Sequence, residues 1–385
     1  MMKDAVLTRT AILRKPPGYK SLTVTERAAR RRQTQHLALR RAALDRFRRE
    51  LLERDKCSTS YLEANAVKPS TLKDYIKRTG EFAQWCQQQP KQPNSPQELD
   101  KLLVQWFDAQ YALGKSSGDG SKLIASLQNL HPRLRAEHLL PRAARAIKGW
   151  RRLVPPHSRP PVPWLAVTAM IGALHWLSHP ATAFGMLIQF VCYLRPGELV
   201  GLTPSHVVRP TAHAGPYAKR WGLLLGPQAL GVPTKPGEFD QSVLIDWSEL
   251  HWIGPLMEAL LKDVPAQQTL FNLSGLEYNA LLRLAARVTG SDILDPQPYG
   301  LRHGGASMDI LTSRRSLSEV KKRGRWKTDA SVRRYEKATL ALKQLARLAP
   351  ETIEYGKLIE KHMAAIFLGT MEAPPPPRST LAFSA

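Results

Sequence analysis

The sequence predicts a mainly α-helical fold with one small β-sheet (α+β), divided into two domains. Three observations carry this prediction. Apolar residues recur at helical spacing through most of the 385-residue chain. Only at about residues 220–247 does the pattern change, to short apolar runs flanking a turn. The run Pro155-Pro156-His157-Ser158-Arg159-Pro160-Pro161-Val162-Pro163 holds five prolines in nine positions, so it cannot continue a helix and parts the chain in two. A hydrophobic content of 43% supplies apolar material for two cores.

Residues 1–57 form a basic arm, irregular around Pro16-Pro17-Gly18. The arm is then helical in pattern from about 25 to 54, with Leu37, Leu44, Phe47, Leu51 and Leu52 set among arginines. Residues 58–154 read as a helical domain. Its first helix opens near Pro69, with Ser70 as N-cap, and sets Leu72, Tyr75, Ile76, Thr79, Phe82 and Cys86 on a core face. A second helix starts at about Ser95, repeats Leu99, Leu102, Leu103, Trp106, Phe107 and Tyr111, and stops before Gly114. A turn at 116–120 and segments at about 121–130 and 141–153 complete four helices. The last of these carries Arg142, Arg145, Lys148, Arg151 and Arg152.

Beyond the 155–163 linker, residues 164–370 form the second domain. Its start, about 164–202, is mostly helical. Phe184, Leu187, Ile188, Val191 and Leu194 mark a helix that delivers Arg195 at its end, where Pro196 stops it. Runs at 221–225 and 242–245 read as strands, with Lys235 in the bend between them. Helices return at about 248–262, 276–288, 304–311, 316–323, 330–348 and 350–367. The tail, 371–385, with Pro374 to Pro377, is low in complexity and expected to be disordered.

Charge narrows the partner. The formal net charge is +24, and three stretches carry nearly all of it: residues 1–56 (+10), 133–152 (+6) and 313–337 (+7). Clustered excess of this size calls for a polyanion. A spanning helix needs roughly 18 apolar residues in a row, and no window reaches that. No signal-peptide core is evident, so the chain is expected inside the cell and off the membrane. Cys57, Cys86 and Cys192 have neither disulfide nor zinc spacing, and no metal or cofactor is expected. Double-stranded DNA is the expected partner.

Three short motifs add chemistry. Leu194-Arg195-Pro196-Gly197-Glu198 places a carboxylate three residues after an arginine, and Tyr299-Gly300-Leu301-Arg302-His303 gathers three polar groups within five positions. Arg323-Gly324-Arg325-Trp326-Lys327 leads, nine residues after Trp326, to Tyr335. A phenol that attacks phosphorus needs cations around it, because charge grows on the phosphoryl oxygens as the pentacovalent state forms. Two guanidinium forks can take two non-bridging oxygens. A lysine on a bend can follow a leaving oxygen and protonate it. Tyr193 and Tyr217 are poorer nucleophile candidates, since neither follows the third motif.

In this order and spacing the motifs resemble the tyrosine recombinases of the phage-integrase class, over about residues 58–367 and most strongly from Arg195 to Tyr335. The resemblance implies a helical core-binding (SAM-like) DNA-binding domain at 58–154 and a catalytic domain at 164–370. It further implies Tyr335 as nucleophile, Arg195 and Arg302 as phosphate clamp, Lys235 as general acid and Trp326 as an indole N–H donor, with His303 and Glu198 in support. Arg142, Arg145, Lys148, Arg151, Arg325 and Lys327 would face DNA. Tyr299 departs from the pattern, which most often has histidine there. A phenol can donate to phosphate, but with its pKa near 10 it is a poor base.

The activity implied is site-specific DNA strand breakage and rejoining through a 3′-phosphotyrosyl link, by a homotetramer on two DNA sites. The helix at 352–367 would dock into a neighbouring subunit. The pattern also resembles recombinases of eukaryotic mobile elements, which would place the chain in the nucleus; a bacterial chain would sit at the nucleoid. Two alternatives share the evidence: a type IB topoisomerase-like enzyme, and a catalytically degenerate DNA-binding protein derived from a mobile element.

Overall fold

Residues 60–380 are described in the computed structural model, apart from 91, 156–159, 212, 214, 216, 217, 229, 230, 232, 233, 235, 236, 267, 336 and 337. The basic arm, Cys57, Tyr217 and Lys235 therefore lie outside the described residues. The described chain is mainly helical with one three-stranded antiparallel sheet, and it divides into two units, 60–155 and 160–380.

The first unit holds α1 (Tyr61–Ala64), α2 (Pro69–Gln87), α3 (Pro96–Ala112), α4 (Ser117–Leu130), α5 (Arg133–Ala136) and α6 (Pro141–Leu153). Phe82, Cys86, Leu103, Phe107, Leu123, Leu127, Ile147 and Trp150 form its core. Three details differ from the sequence reading. Lys68, not Ser70, is the N-cap of α2, because Pro69 has no N–H to satisfy and sits comfortably in the first turn. Ile76 is 60% exposed, on the edge of the apolar face rather than within it. The turn expected at 116–120 is instead the first turn of α4, where Gly120 lets the helix close onto the core: a Cβ there would lie 2.5 Å from Ile147 Cδ1.

Asp100 joins α3 to α6. Buried at 3% exposure, its carboxylate accepts the Arg142 and Ala143 N–H groups at 2.9 and 2.8 Å, satisfying two first-turn donors of α6. Charged hydrogen bonds of this kind hold more than neutral ones, so Asp100→Ala should destabilise the unit by about 1–3 kcal/mol. The check is the urea midpoint of the isolated transition. Asp100→Asn, which keeps one acceptor, should fall between. Opposite the buried face of Ala143, Ile147 and Trp150, α6 exposes Arg142, Arg145, Lys148, Arg151 and Arg152. Arg145, Lys148 and Arg152 line a groove of about 570 Å³.

The second unit is built around α7 (Trp164–Trp176), in which every residue from Ala166 to Leu174 is buried. A helix apolar on all sides must be covered on all sides. The cover comes from α8 (Pro180–Val191), α11 (Gly275–Thr289) and α16 (Pro350–Phe367), reached through the short α9 (Pro196–Val200) and α10 (Gly254–Asp263). The sheet, in order β1 (Val207–Val208), β2 (Trp221–Leu225) and β3 (Gln241–Ile245), pairs Trp221 with Ile245 and Leu225 with Gln241. The two expected strands are present. The third, β1, is only two residues long and left no pattern to find.

The docking helix expected at 352–367 packs within its own chain. Thr352, Tyr355, Gly356, Ile359, Met363, Ile366 and Phe367 of α16 are buried. A Cβ on Gly356 would lie 2.3 Å from the Leu165 carbonyl oxygen, and one on Gly172 would lie 2.4 Å from Ile359 Cγ1. These glycines let α7 and α16 approach closely, which buries most of the apolar residues of α16 within the chain and leaves Leu358 exposed. The tail differs too: residues 371–380 lie along this unit. The Pro374 carbonyl accepts from Tyr355 Oη at 2.9 Å, and Arg378 N–H donates to the Val288 carbonyl at 2.8 Å. Among the described residues no helix is long and apolar enough to cross a membrane.

Candidate active site

Arg195 is not at the end of a helix. The chain leaves α8 at Val191, turns through Tyr193 in the left-handed region (φ 49°), and places Arg195 as N-cap of α9. Glu198, three residues on, accepts the Arg195 N–H at 2.7 Å and pairs with its guanidinium. The carboxylate thus closes the turn and fixes the arginine in one step.

The helix expected at 304–311 begins earlier, as α12 (Pro298–Leu311), so Tyr299, Arg302 and His303 share its first turns. Spacing of three and four residues puts them on neighbouring faces. The Tyr299 and His303 rings meet edge to face at 5.1 Å, and His303 meets Tyr335 in the same manner at 5.1 Å. Arg302 is fully buried. Its two terminal nitrogens donate to the Tyr193 and Gly324 carbonyls, Nη1 lies 4.0 Å from Glu198, and Nε has no partner. Its guanidinium lies 4.8 Å from the Trp326 ring centre. Burial, and then the charge of Arg195, push its pKa down from the usual guanidinium range.

The helix expected over 330–348 is broken into α14 (Asp329–Val332), a 3₁₀ turn (Arg333–Tyr335) and α15 (Ala338–Leu345). Tyr335 falls on the 3₁₀ turn. It is 4% exposed, and its ring sits 4.7 Å from that of Trp326. Tyr193, Ala306, Val320 and Val332 complete the apolar cluster around it. Trp326 follows α13 (Leu317–Gly324), where a Cβ on Gly324 would collide with the indole at 1.7 Å. A glycine is required beneath that ring.

Arg325 departs from its expected place on a DNA-facing surface. Its side chain is 5% exposed and donates to Glu198 at 2.6 Å and, more weakly, to the Tyr193 carbonyl at 3.4 Å. Burial drives its pKa down to about 10. Lys327 is exposed, as expected, and pairs with Glu238 at 3.1 Å. Glu238 and Trp326 line the same cleft. Hydrogen bonding from Lys327, then from Gln241, holds the Glu238 carboxyl below its usual range, and Arg195 adds to the effect.

Beneath the site lies a set of residues that the sequence reading missed. Tyr193 Oη donates to buried Asp309, which Arg315 also holds, and Arg315 reaches Asp246 at 2.5 Å. Arg323 donates twice to the Val191 carbonyl, at 3.0 and 2.7 Å, and meets Asp246 at 3.1 Å. These groups fix the 191–195 turn, whose Tyr193 carbonyl holds Arg302 and Arg325. Arg315 and Arg323 were legible only as part of a basic stretch, with nothing to mark Arg323 as buried and Arg315 as half-buried.

Arg195, Glu198, Tyr299, Arg302, His303, Trp326 and Tyr335 therefore form one continuous chain of contacts, and Arg325 joins it. Three guanidiniums share a single carboxylate, which leaves the cluster cationic and suited to an anion. Cys86 and Cys192 are buried; Cys192 lies in the 191–195 turn, and burial pushes its thiol up to about 11. No group of described residues has the composition of a metal site.

No protein-family model and no curated protein sequence matches the chain. Among solved structures it is similar to a lambda integrase dimer bound to a COC′ core site, with 15% identity and a TM-score of 0.42 over 77% of this chain and 95% of that one. It is also similar to XerA recombinase, with 14% identity and a TM-score of 0.34 over 75% of this chain and 96% of that one.

Proposed function

We propose that the chain breaks and rejoins DNA strands through a covalent link to Tyr335, as a site-specific recombinase or integrase. The observation that carries this reading is the contact chain itself: a phenol buried against Trp326 and His303, continuous with Arg302, Glu198 and Arg195. In the step proposed, Tyr335 Oη forms a bond to phosphorus as the bond to the sugar 5′ oxygen breaks. The phenolic proton leaves to His303, the imidazole in ring contact with Tyr335, or to water. The 5′ oxygen takes a proton from Lys235. Arg195 and Arg302 stabilise the charge that gathers on the non-bridging oxygens. Tyr299 donates a hydrogen bond rather than acting as base. Reversal with a different 5′-hydroxyl rejoins the strands, and the phosphotyrosyl bond conserves the energy needed. The exposed cations of α6 would bind duplex phosphates.

A second reading, a type IB topoisomerase-like enzyme acting as a monomer, is favoured by one observation: the apolar face of α16 is covered by α7 of the same chain. A duplex nicked just 3′ of the cleavage position, which on cutting loses the short fragment bearing the freed 5′-hydroxyl, tests the common chemistry. Incubated without metal or nucleotide, it should leave a protein–DNA adduct stable to denaturing electrophoresis and carrying the 3′-phosphate side. No adduct on any duplex that the protein binds would leave the degenerate DNA-binding reading. Exchange between two labelled duplexes, as against relaxation of a supercoiled circle, separates the two enzymes.

A further inference from the structure

Arg325 is the residue that the proposed chemistry does not use, and three observations set it apart from an ordinary buried ion pair. Its backbone is left-handed, at φ 54°, where a side chain crowds the following carbonyl and glycine or asparagine is preferred. Its side chain is 5% exposed, yet Nε and Nη1 have no hydrogen-bond partner; only Nη2 is engaged, by Glu198 and the Tyr193 carbonyl. It also lines a cleft of about 790 Å³, together with Lys322, Trp326, Lys327, Glu238 and Gln241. A fold that needed only a helix C-cap would be served better by glycine, and one that needed only a partner for Glu198 already has Arg195.

We propose that Arg325 is a third phosphate-binding guanidinium, which Glu198 holds beside Arg195 and Arg302 until a DNA phosphodiester enters the cleft and takes up its Nε and Nη1 donors. This rests on the reading of the chain as a DNA strand-breaking enzyme. Glu198 serves as the stand-in anion: one carboxylate among three guanidiniums keeps them from repelling one another, and the incoming phosphate adds the negative charge the cluster lacks. Both atoms are buried in the cleft wall, so the side chain turns outward to meet the phosphate, and two N–H groups that protein atoms leave unsatisfied then gain partners.

Arg325→Gly is the decisive variant, because it removes the guanidinium while relaxing the left-handed backbone. The variant should fold, with a thermal midpoint at or above that of the wild type. Its binding to duplex DNA should lose one phosphate contact, so the slope of log K against log salt should become shallower by about 0.9. Adduct formation on the nicked duplex should fall about 100-fold, as when one preorganised donor to a developing oxyanion is lost. Arg325→Lys, a point charge without the fork, should keep the salt slope but not the rate. If the glycine variant does not fold, Arg325→Asn, whose short side chain tolerates the same backbone, takes its place. A folded glycine or asparagine variant with wild-type slope and wild-type adduct rate would reduce Arg325 to an internal partner of Glu198 and overturn the proposal. If the wild type itself forms no adduct, the strand-breaking reading falls, while the salt slope still decides whether Arg325 touches a phosphate.

Discussion

Tyr335→Phe should abolish the covalent adduct completely while leaving the fold and the affinity for DNA intact. The substitution deletes one oxygen. The ring that packs at 4.7 Å on Trp326 and at 5.1 Å on His303 is retained, as is its place in the cluster with Val320 and Val332. Nearly isosteric exchange in a packed cluster costs less than about 1.5 kcal/mol, so the thermal midpoint should move little. Nothing in the variant can form the phosphotyrosyl bond, and no neighbouring phenol can replace it. Tyr193 Oη is tied to Asp309, and burial with that carboxylate beside it pushes its pKa far up. Tyr299 packs its ring edge to face on His303. Denaturing gels of wild type and variant on the nicked duplex provide the measurement, and filter binding at matched salt shows whether affinity survives. An adduct that persists in Tyr335→Phe would remove Tyr335 as the nucleophile, and one that forms only with magnesium would point to a different chemistry altogether.

The parts of this site that were legible in the sequence are those set by short-range spacing. Tyr299, Arg302 and His303 are one helical turn apart and must meet whatever surrounds them; Arg195 and Glu198 close a local turn. The parts that were not legible depend on where the backbone stops being regular. The 330–348 segment reads as one amphipathic helix because Val332, Tyr335, Thr339 and Leu342 keep a helical period, but Leu342 is exposed and the chain tightens into a 3₁₀ turn at Tyr335. Arg325 reads as one more cation in a basic stretch. Its burial follows from a left-handed residue after α13, at a position where composition would not place an arginine. Similarly, the cation count could not separate the exposed arginines of α6 from half-buried Arg315 and buried Arg323, which are held by Asp309, Asp246 and the Val191 carbonyl. The sign of a charge is written in the sequence. Its depth is decided by packing, and with it whether the charge meets solvent or holds a turn.

Gly305→Ala should be nearly as damaging as Tyr335→Phe, through an opposite route. A Cβ at Gly305 would lie 2.0 Å from the Phe190 carbonyl oxygen and 2.9 Å from Tyr193 Cδ1, and one at the adjacent Gly304 would lie 2.3 Å from the Val162 carbonyl oxygen. The two carbonyl oxygens belong to the backbone and cannot swing aside as the end of a side chain could. To admit one methyl group, α12 must move away from α8. The loss in stability should be about 3 kcal/mol or more, at the upper end for overpacking, and read as a lowered urea midpoint. Gly275→Ala, where nothing lies within 4 Å of the added atom, is the control and should change stability by no more than about 0.5 kcal/mol. The damage should reach the chemistry as well. The Phe190–Tyr193 turn that would be displaced carries the Tyr193 carbonyl, and that carbonyl holds both Arg302 and Arg325. Under conditions where Gly305→Ala is still mostly folded, its adduct rate should therefore already be reduced while binding to duplex DNA persists. A variant that loses stability but keeps its adduct rate per folded molecule would show that the guanidiniums are positioned independently of this turn.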